Sequence, residues 1–138
     1  MEHSKIIETI MNYIETHLDN ELSLDKISKD LNYSKFYISR VFSENTGISI
    51  YKYIQRRRLT IAAQKLVETN KPIIAIAYEA QYNSQQAFTL AFHQLYVCTP
   101  QTYRKNGIFY PKQLRITTQS TLLDFSSINC TIGGRMVA

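Results

Sequence analysis

A repeat at an offset of 50 residues constrains this chain more than any other feature. Leu24 matches Ile74, Ser34 matches Ser84, Ile38 matches Phe88, Phe42 matches Phe92, Ser49 matches Thr99 and Tyr53 matches Tyr103. Residues able to cap a helix therefore recur in register with apolar residues at helical spacing, which describes two copies of one small helical unit. In the first copy Ser23 precedes Leu24, Ile27 and Leu31, and Ser34 precedes Ile38, Val41 and Phe42, with Gly47 placed to end the second helix. Residues 23–46 read as helix, tight turn, helix, the plan of a helix-turn-helix module.

The surroundings of the two copies read the same way. Ile6, Ile7, Ile10, Met11, Ile14 and Leu18 recur at three and four residues and predict an amphipathic scaffold helix. Ser49 opens the longest periodic segment, a helix from Ile50 to Glu68 that carries Arg56, Arg57 and Arg58 and connects the copies. In the second copy Pro72 restarts the chain ahead of Ile73, Ile74, Ile76 and Ala77. Gln81-Tyr82-Asn83 is the turn, and Ser84 caps a helix with Phe88, Ala91, Phe92 and Leu95 inward. Thr99-Pro100 begins a last short helix ending near Tyr103-Arg104. The expected fold is all-α: two helix-turn-helix modules joined by a long central helix, followed by a short extended tail. At about 1.5 Å per residue the central helix spans about 29 Å. Two recognition helices joined in this way suit the roughly 34 Å of one DNA turn, so one chain would read two successive major grooves.

Composition removes most other classes. A length of 138 residues excludes a large multidomain enzyme, and 44% hydrophobic residues with only 4 Gly and 3 Pro excludes a disordered or loop-rich chain. No apolar run approaches the ~18 residues of a membrane span and Met1-Glu2-His3-Ser4-Lys5 lacks a signal-peptide plan, so a cytoplasmic location is expected. Cys98 and Cys130 form no disulfide framework and read as passive thiols. His3, His17 and His93 lie far apart without ligand spacing, and none of the four glycines sits in a phosphate-loop pattern. No catalytic residue, metal site or cofactor is expected. Charge is distributed unevenly: residues 1–50 carry five basic against eight acidic residues, a balance of −3, and residues 51–138 carry eleven against three, a balance of +8. That asymmetry suits a polyanionic partner.

The motifs resemble a known family. Leu22-Ser23-Leu24-Asp25-Lys26-Ile27-Ser28, Tyr33-Ser34-Lys35-Phe36, Arg40-Val41-Phe42, Thr46-Gly47, Tyr53-Ile54, Arg58-Leu59, Ser84-Gln85-Gln86, Phe92 and Pro100-Gln101-Thr102-Tyr103-Arg104 follow the order and spacing of the DNA-binding domain of AraC/XylS transcription regulators. Within that family the chain resembles the MarA/SoxS/Rob group, over residues 5–105. The resemblance implies sequence-specific binding of double-stranded promoter DNA by a monomer, and activation through RNA polymerase.

It also implies site residues. Phe36, Ser39 and Arg40 match the base-reading positions of the third helix. The residue pattern agrees, because Lys35, Phe36, Ser39 and Arg40 fall opposite Ile38, Val41 and Phe42. Arg40 would take guanine O6 and N7 together, Ser39 would serve several bases and Phe36 would add an apolar contact. A second reading has Arg40 paired with an acid on a neighbouring helix. On the sixth helix Gln86, Ala87, Thr89 and Leu90 match, with Gln85 beside them. Gln86 would read adenine N6 and N7, or is a solvated amide, and Thr89 would touch a base or a phosphate. Leu90 stands where many relatives have arginine, and Gln81 where the turn usually has glycine, so the second module is expected to read less directly or to prefer other bases. Phosphate contacts are expected from Ser34, Lys35, Arg56, Arg57, Ser84 and Arg104. Arg58 matches a position often tied into packing, and Tyr33, Tyr53, Tyr82 and Tyr103 read as core or turn aromatics.

These readings place a DNA-binding domain at residues 1–106 and a tail at 107–138. Ile108-Phe109-Tyr110, Leu114-Arg115-Ile116-Thr117 and Leu122-Leu123-Asp124-Phe125 read as short extended segments, like the truncated opening of an effector domain and capable of mediating association. The rival function is a protein-interaction module that keeps the fold and reads DNA weakly.

Overall fold

The computed structural model describes residues 2–116, with side chains from residue 4 onward. Seven helices follow in order: α1 (Glu2–Thr16), α2 (Leu24–Leu31), α3 (Lys35–Thr46), α4 (Ile50–Glu68), α5 (Ile73–Glu79), α6 (Gln85–Tyr96) and α7 (Pro100–Asn106). Among the described residues there is no strand, and no helix is long and apolar enough to cross a membrane. Packing divides the described chain into two units, one of residues up to Gln55 with Arg115 and Ile116, the other from Arg56 to Leu114. Helix α4 runs through that division; α2 and α3 of the first copy lie in one unit, with α1, and α5, α6 and α7 of the second copy lie in the other.

The first unit is built from caps and an apolar stripe. Ser23, in extended conformation, accepts the Lys26 amide at 3.1 Å, and Ser34 accepts the Tyr37 amide at 3.0 Å. Each such cap stabilises its helix by about 1 kcal/mol. Asn32 ends α2 at φ +63, and Gly47 ends α3 at φ +78, the left-handed region that glycine enters without a Cβ penalty. Helix α1 packs on both α2 and α3. Ile10, Met11 and Ile14 are buried, as are Ile27, Ile38 and Phe42. Tyr53 of α4 joins them, with its ring 5.6 Å from that of Phe42.

The second unit repeats the plan. Pro72 precedes α5, its carbonyl accepting the Ala75 and Ile76 amides. Ser84 accepts the Ala87 amide at 3.0 Å and Thr99 the Thr102 amide at 3.2 Å. The core gathers Leu59, Ala63 and Leu66 of α4 with Ile76, Phe88 and Phe92. Tyr96 and Tyr103 complete it as part of an aromatic stack: the Phe92 and Tyr96 rings lie 4.7 Å apart, and Tyr103 meets Phe92 edge-on at 5.5 Å. Full burial of a side chain of this size contributes about 1.5–3 kcal/mol of favourable transfer free energy.

The expected tail begins as a packed segment without helix or strand. In the second unit the Tyr110 amide donates to the Tyr103 hydroxyl at 2.7 Å, and the Tyr96 hydroxyl donates to the Tyr110 carbonyl at 2.8 Å. The Gln113 amide donates to the buried Thr60 hydroxyl at 3.0 Å. In the first unit the Ile116 amide donates to the Tyr53 hydroxyl, and Arg115 donates to Asn12. The expected segment at Leu122–Phe125, together with Thr117 and Cys130, lies outside the described residues.

Candidate nucleic-acid interface

In the first unit the fold turns one side of α3 to solvent. Ile38, Val41 and Phe42 are buried, which leaves Lys35, Phe36, Ser39 and Arg40 exposed on the opposite side. Phe36 is 74% exposed, an unusual setting for a phenylalanine the core does not use. The Arg40 guanidinium lies 5.8 Å from the Phe36 ring centroid and 5.9 Å from that of Tyr37, at cation–π range of both. Its acidic neighbour is Glu44, 3.7 Å away and one turn along the same helix, so the alternative pairing to a neighbouring helix is replaced by one within α3. An exposed pair at that distance is weak, and a phosphate or base edge can displace it. Lys35 holds Asp25 of α2 at 2.7 Å, also exposed. Ser34 uses its oxygen as the cap acceptor, which leaves its hydroxyl proton to donate elsewhere.

In the second unit α6 offers the matching side. Gln85, Gln86, Ala87 and Leu90 are exposed and Thr89 is half-buried, while Phe88 and Phe92 face the core. Together with Ser84, those five residues line an open, largely apolar hollow. Leu90 is 65% exposed. The turn before α6 keeps a left-handed residue, Gln81 at φ +70, although the side chain there is not glycine.

Two of the expected phosphate ligands are engaged inside the fold. Arg104 donates from Nε to the Leu66 carbonyl at 2.8 Å and from a terminal nitrogen to the Thr69 carbonyl at 3.3 Å, tying α7 to the end of α4. Those carbonyls belong to the last turn of α4 and its exit, where acceptors lack helical partners. Arg57 donates to the Gln113 carbonyl at 2.8 Å. Arg56 is half-buried on α4. Tyr53 and Tyr103 are core residues, Tyr82 sits edge-on to Phe88 at 5.7 Å, and Tyr33 stands at the turn beside Tyr37. Sequence reasoning missed Asp25, Glu44 and Tyr37 as neighbours of the α3 face. The i,i+4 spacing of Arg40 and Glu44 was readable, whereas the pairing of Lys35 with Asp25 depends on how α2 meets α3. Among the described residues no group of three or more His, Cys, Asp or Glu is placed to hold a metal ion.

A family profile described as a helix-turn-helix domain matches residues 27–106. Regulatory protein SoxS of Salmonella typhimurium is 39% identical over 104 residues, covering 75% of this chain and 97% of that protein. The chain belongs to the AraC/XylS family of DNA-binding transcription regulators. The C-terminal domain of AraT, a response regulator from Geobacillus stearothermophilus, superimposes with a TM-score of 0.72 at 31% identity, covering 77% of this chain and 88% of that one. The DNA-binding domain of AdpA, a global transcriptional factor solved in complex with a target DNA, shares the fold with a TM-score of 0.68 at 17% identity, over 72% of this chain and 90% of that one. The residues matched by the family profile take in α3 and α6 together with the long helix α4 between them.

Proposed function

We propose that this chain is a transcription activator that binds an asymmetric promoter site as a monomer, placing α3 in one major groove and α6 in another, and that it acts through RNA polymerase. It works in the cytoplasm and performs no catalysis. The observation that carries the reading is the α3 face: a solvent-exposed arginine within cation–π range of two aromatic rings, beside exposed Phe36, Ser39 and Lys35. An arginine oriented in this way is suited to take guanine O6 and N7 together, with Ser39 and Phe36 reading adjacent edges. On α6, Gln85, Gln86, Thr89 and Leu90 are the base-facing set. Ser34, Lys35, Arg56 and Ser84 position the backbone through phosphate contacts that fix register without reading sequence. Arg57 and Arg104 serve that end indirectly, by bracing α4 and α7.

Competition binding tests the reading. The full chain should prefer one duplex sequence over bulk competitor DNA, and Arg40→Ala should weaken the specific complex by about 1–3 kcal/mol while leaving non-specific binding nearly unchanged. Equal affinity of both proteins for all sequences would remove the reading and favour the protein-interaction module.

A further inference from the structure

The two recognition helices are copies that differ systematically. The repeat pairs Lys35 with Gln85, Ser39 with Thr89, Arg40 with Leu90 and Glu44 with Gln94. Asp25, the ion-pair partner of Lys35, pairs with Ala75. The equivalence is structural, because the frame around these positions does the same work in both copies. Ser34 and Ser84 cap their helices on the third amide, Ile38 and Phe88 are fully buried, and so are Phe42 and Phe92. Arg40 and Leu90 thus hold the same place on their helices, both exposed. Every charged side chain of the first face, acid as well as base, is neutral in the second, and α6 contains no Lys, Arg, Asp or Glu from Gln85 to Tyr96.

That substitution pattern has a meaning at a base edge. Guanine offers the major groove two acceptors and is best met by a cationic fork; thymine offers a methyl group and one acceptor, and adenine a donor and an acceptor that match an amide. The α6 face holds two amides, Gln85 and Gln86, one hydroxyl with a methyl group, Thr89, and the apolar Ala87 and Leu90 around the open hollow. We infer that Leu90 is a specificity-determining residue that seats against a thymine methyl group, so that the second half-site is an A·T element while the first requires guanine. This rests on the proposed DNA reading. The chain then recognises two chemically unlike half-sites with two copies of one module, and the attraction to phosphate that depends on charge falls mainly outside α6.

The test uses the full chain and the duplex it selects from a randomised pool. Each thymine of the second block is replaced singly by deoxyuridine, which removes the methyl group and keeps every hydrogen-bonding atom. One replacement should weaken the wild-type protein about fourfold, the worth of one buried methyl group. Leu90→Ala should lose a similar factor on the thymine duplex and be indifferent to the same replacement. Selection repeated with Leu90→Arg should bring guanine into the second block and leave the first block unchanged. Neutrality of every deoxyuridine for the wild type, or an unaltered second block with Leu90→Arg, overturns the inference while an Arg40-dependent first block still upholds DNA reading. Loss of any selected sequence, with Arg40→Ala also silent, overturns both.

Discussion

Val97 ends α6 in the same left-handed conformation in which Gly47 ends α3, at φ +62 and φ +78. The two residues lie fifty apart and do the same work, each donating its amide to the carbonyl four residues back, on His93 and Ser43. Glycine enters this region freely, and a β-branched residue is strained there. Val97 is 74% exposed, so it gains little burial in return. Val97→Gly should stabilise the protein by about 1 kcal/mol, within the range such backbone strain costs. Gly47→Ala should destabilise it by about 1 kcal/mol, purely through backbone conformation, because nothing lies within 4 Å of a Cβ placed there. Urea midpoints at unchanged slope measure both, and a lower midpoint for Val97→Gly would contradict the account.

The Tyr103 hydroxyl is the acceptor for the Tyr110 amide, which holds the segment after α7 against the second core. Tyr103→Phe should therefore cost about 1–3 kcal/mol, the penalty for a part-buried amide left without its acceptor, and should speed hydrogen exchange at Tyr110. Burial pushes the Tyr103 phenol from its ordinary 10.0 up to about 12. With the folded value raised, the contribution is intact below pH 10 and is lost as the pH rises through about 12. The wild-type advantage over Tyr103→Phe should shrink over that interval, and alkaline unfolding followed at both proteins reads it.

Arg104 separates a structural from an electrostatic role. Its guanidinium is held by the Leu66 and Thr69 carbonyls. Arg104→Ala should lower urea stability by about 1–3 kcal/mol and leave the salt dependence of DNA binding unchanged. Arg56→Ala should leave stability nearly unchanged and reduce the salt slope by about 1. Exchanged outcomes for the two variants would reverse the assignments.

The parts of this fold that were legible in the sequence are those decided within a few residues. Ser34, Ser84 and Thr99 cap the third amide beyond them, Gly47 supplies a left-handed stop, and the helical spacing of Ile38 and Phe42, like that of Phe88 and Phe92, sets which side faces inward. The bounds of the central helix, Ile50–Glu68, followed from its cap and its period. What was not legible depends on partners far along the chain. Arg104 meets carbonyls more than thirty residues away, Arg57 meets Gln113, and Tyr110 closes on Tyr96 and Tyr103. Val97 hid its role because a valine carries no signal for a helix stop. The solvent-facing side of α3 and α6 was readable because it lies opposite a buried stripe, and the availability of the cations was less so, because it depends on tertiary contacts.

Glu79 gives a test in acid. Hydrogen bonds from Lys65 at 2.7 Å and Lys71 at 2.9 Å hold its carboxyl below the ordinary 4.5. A depressed folded value contributes stability that is present above pH 4.5 and is lost as the pH falls through the lower folded value. The wild-type advantage over Glu79→Gln should be constant near neutrality and disappear in acid, and high salt should reduce it, since the three side chains are partly exposed. An advantage that grows as the pH falls below 4.5 would contradict the assignment.

We propose that this one chain reads duplex DNA with both of its helix-turn-helix modules. Selection of bound duplexes from a randomised library at physiological salt, followed by sequencing, tests it most directly. The expected result is one asymmetric motif of two blocks about a helical turn apart, the first losing its guanine with Arg40→Ala and the second rich in A·T pairs. Recovery of no motif, with only weak salt-sensitive retention of all sequences, would contradict it.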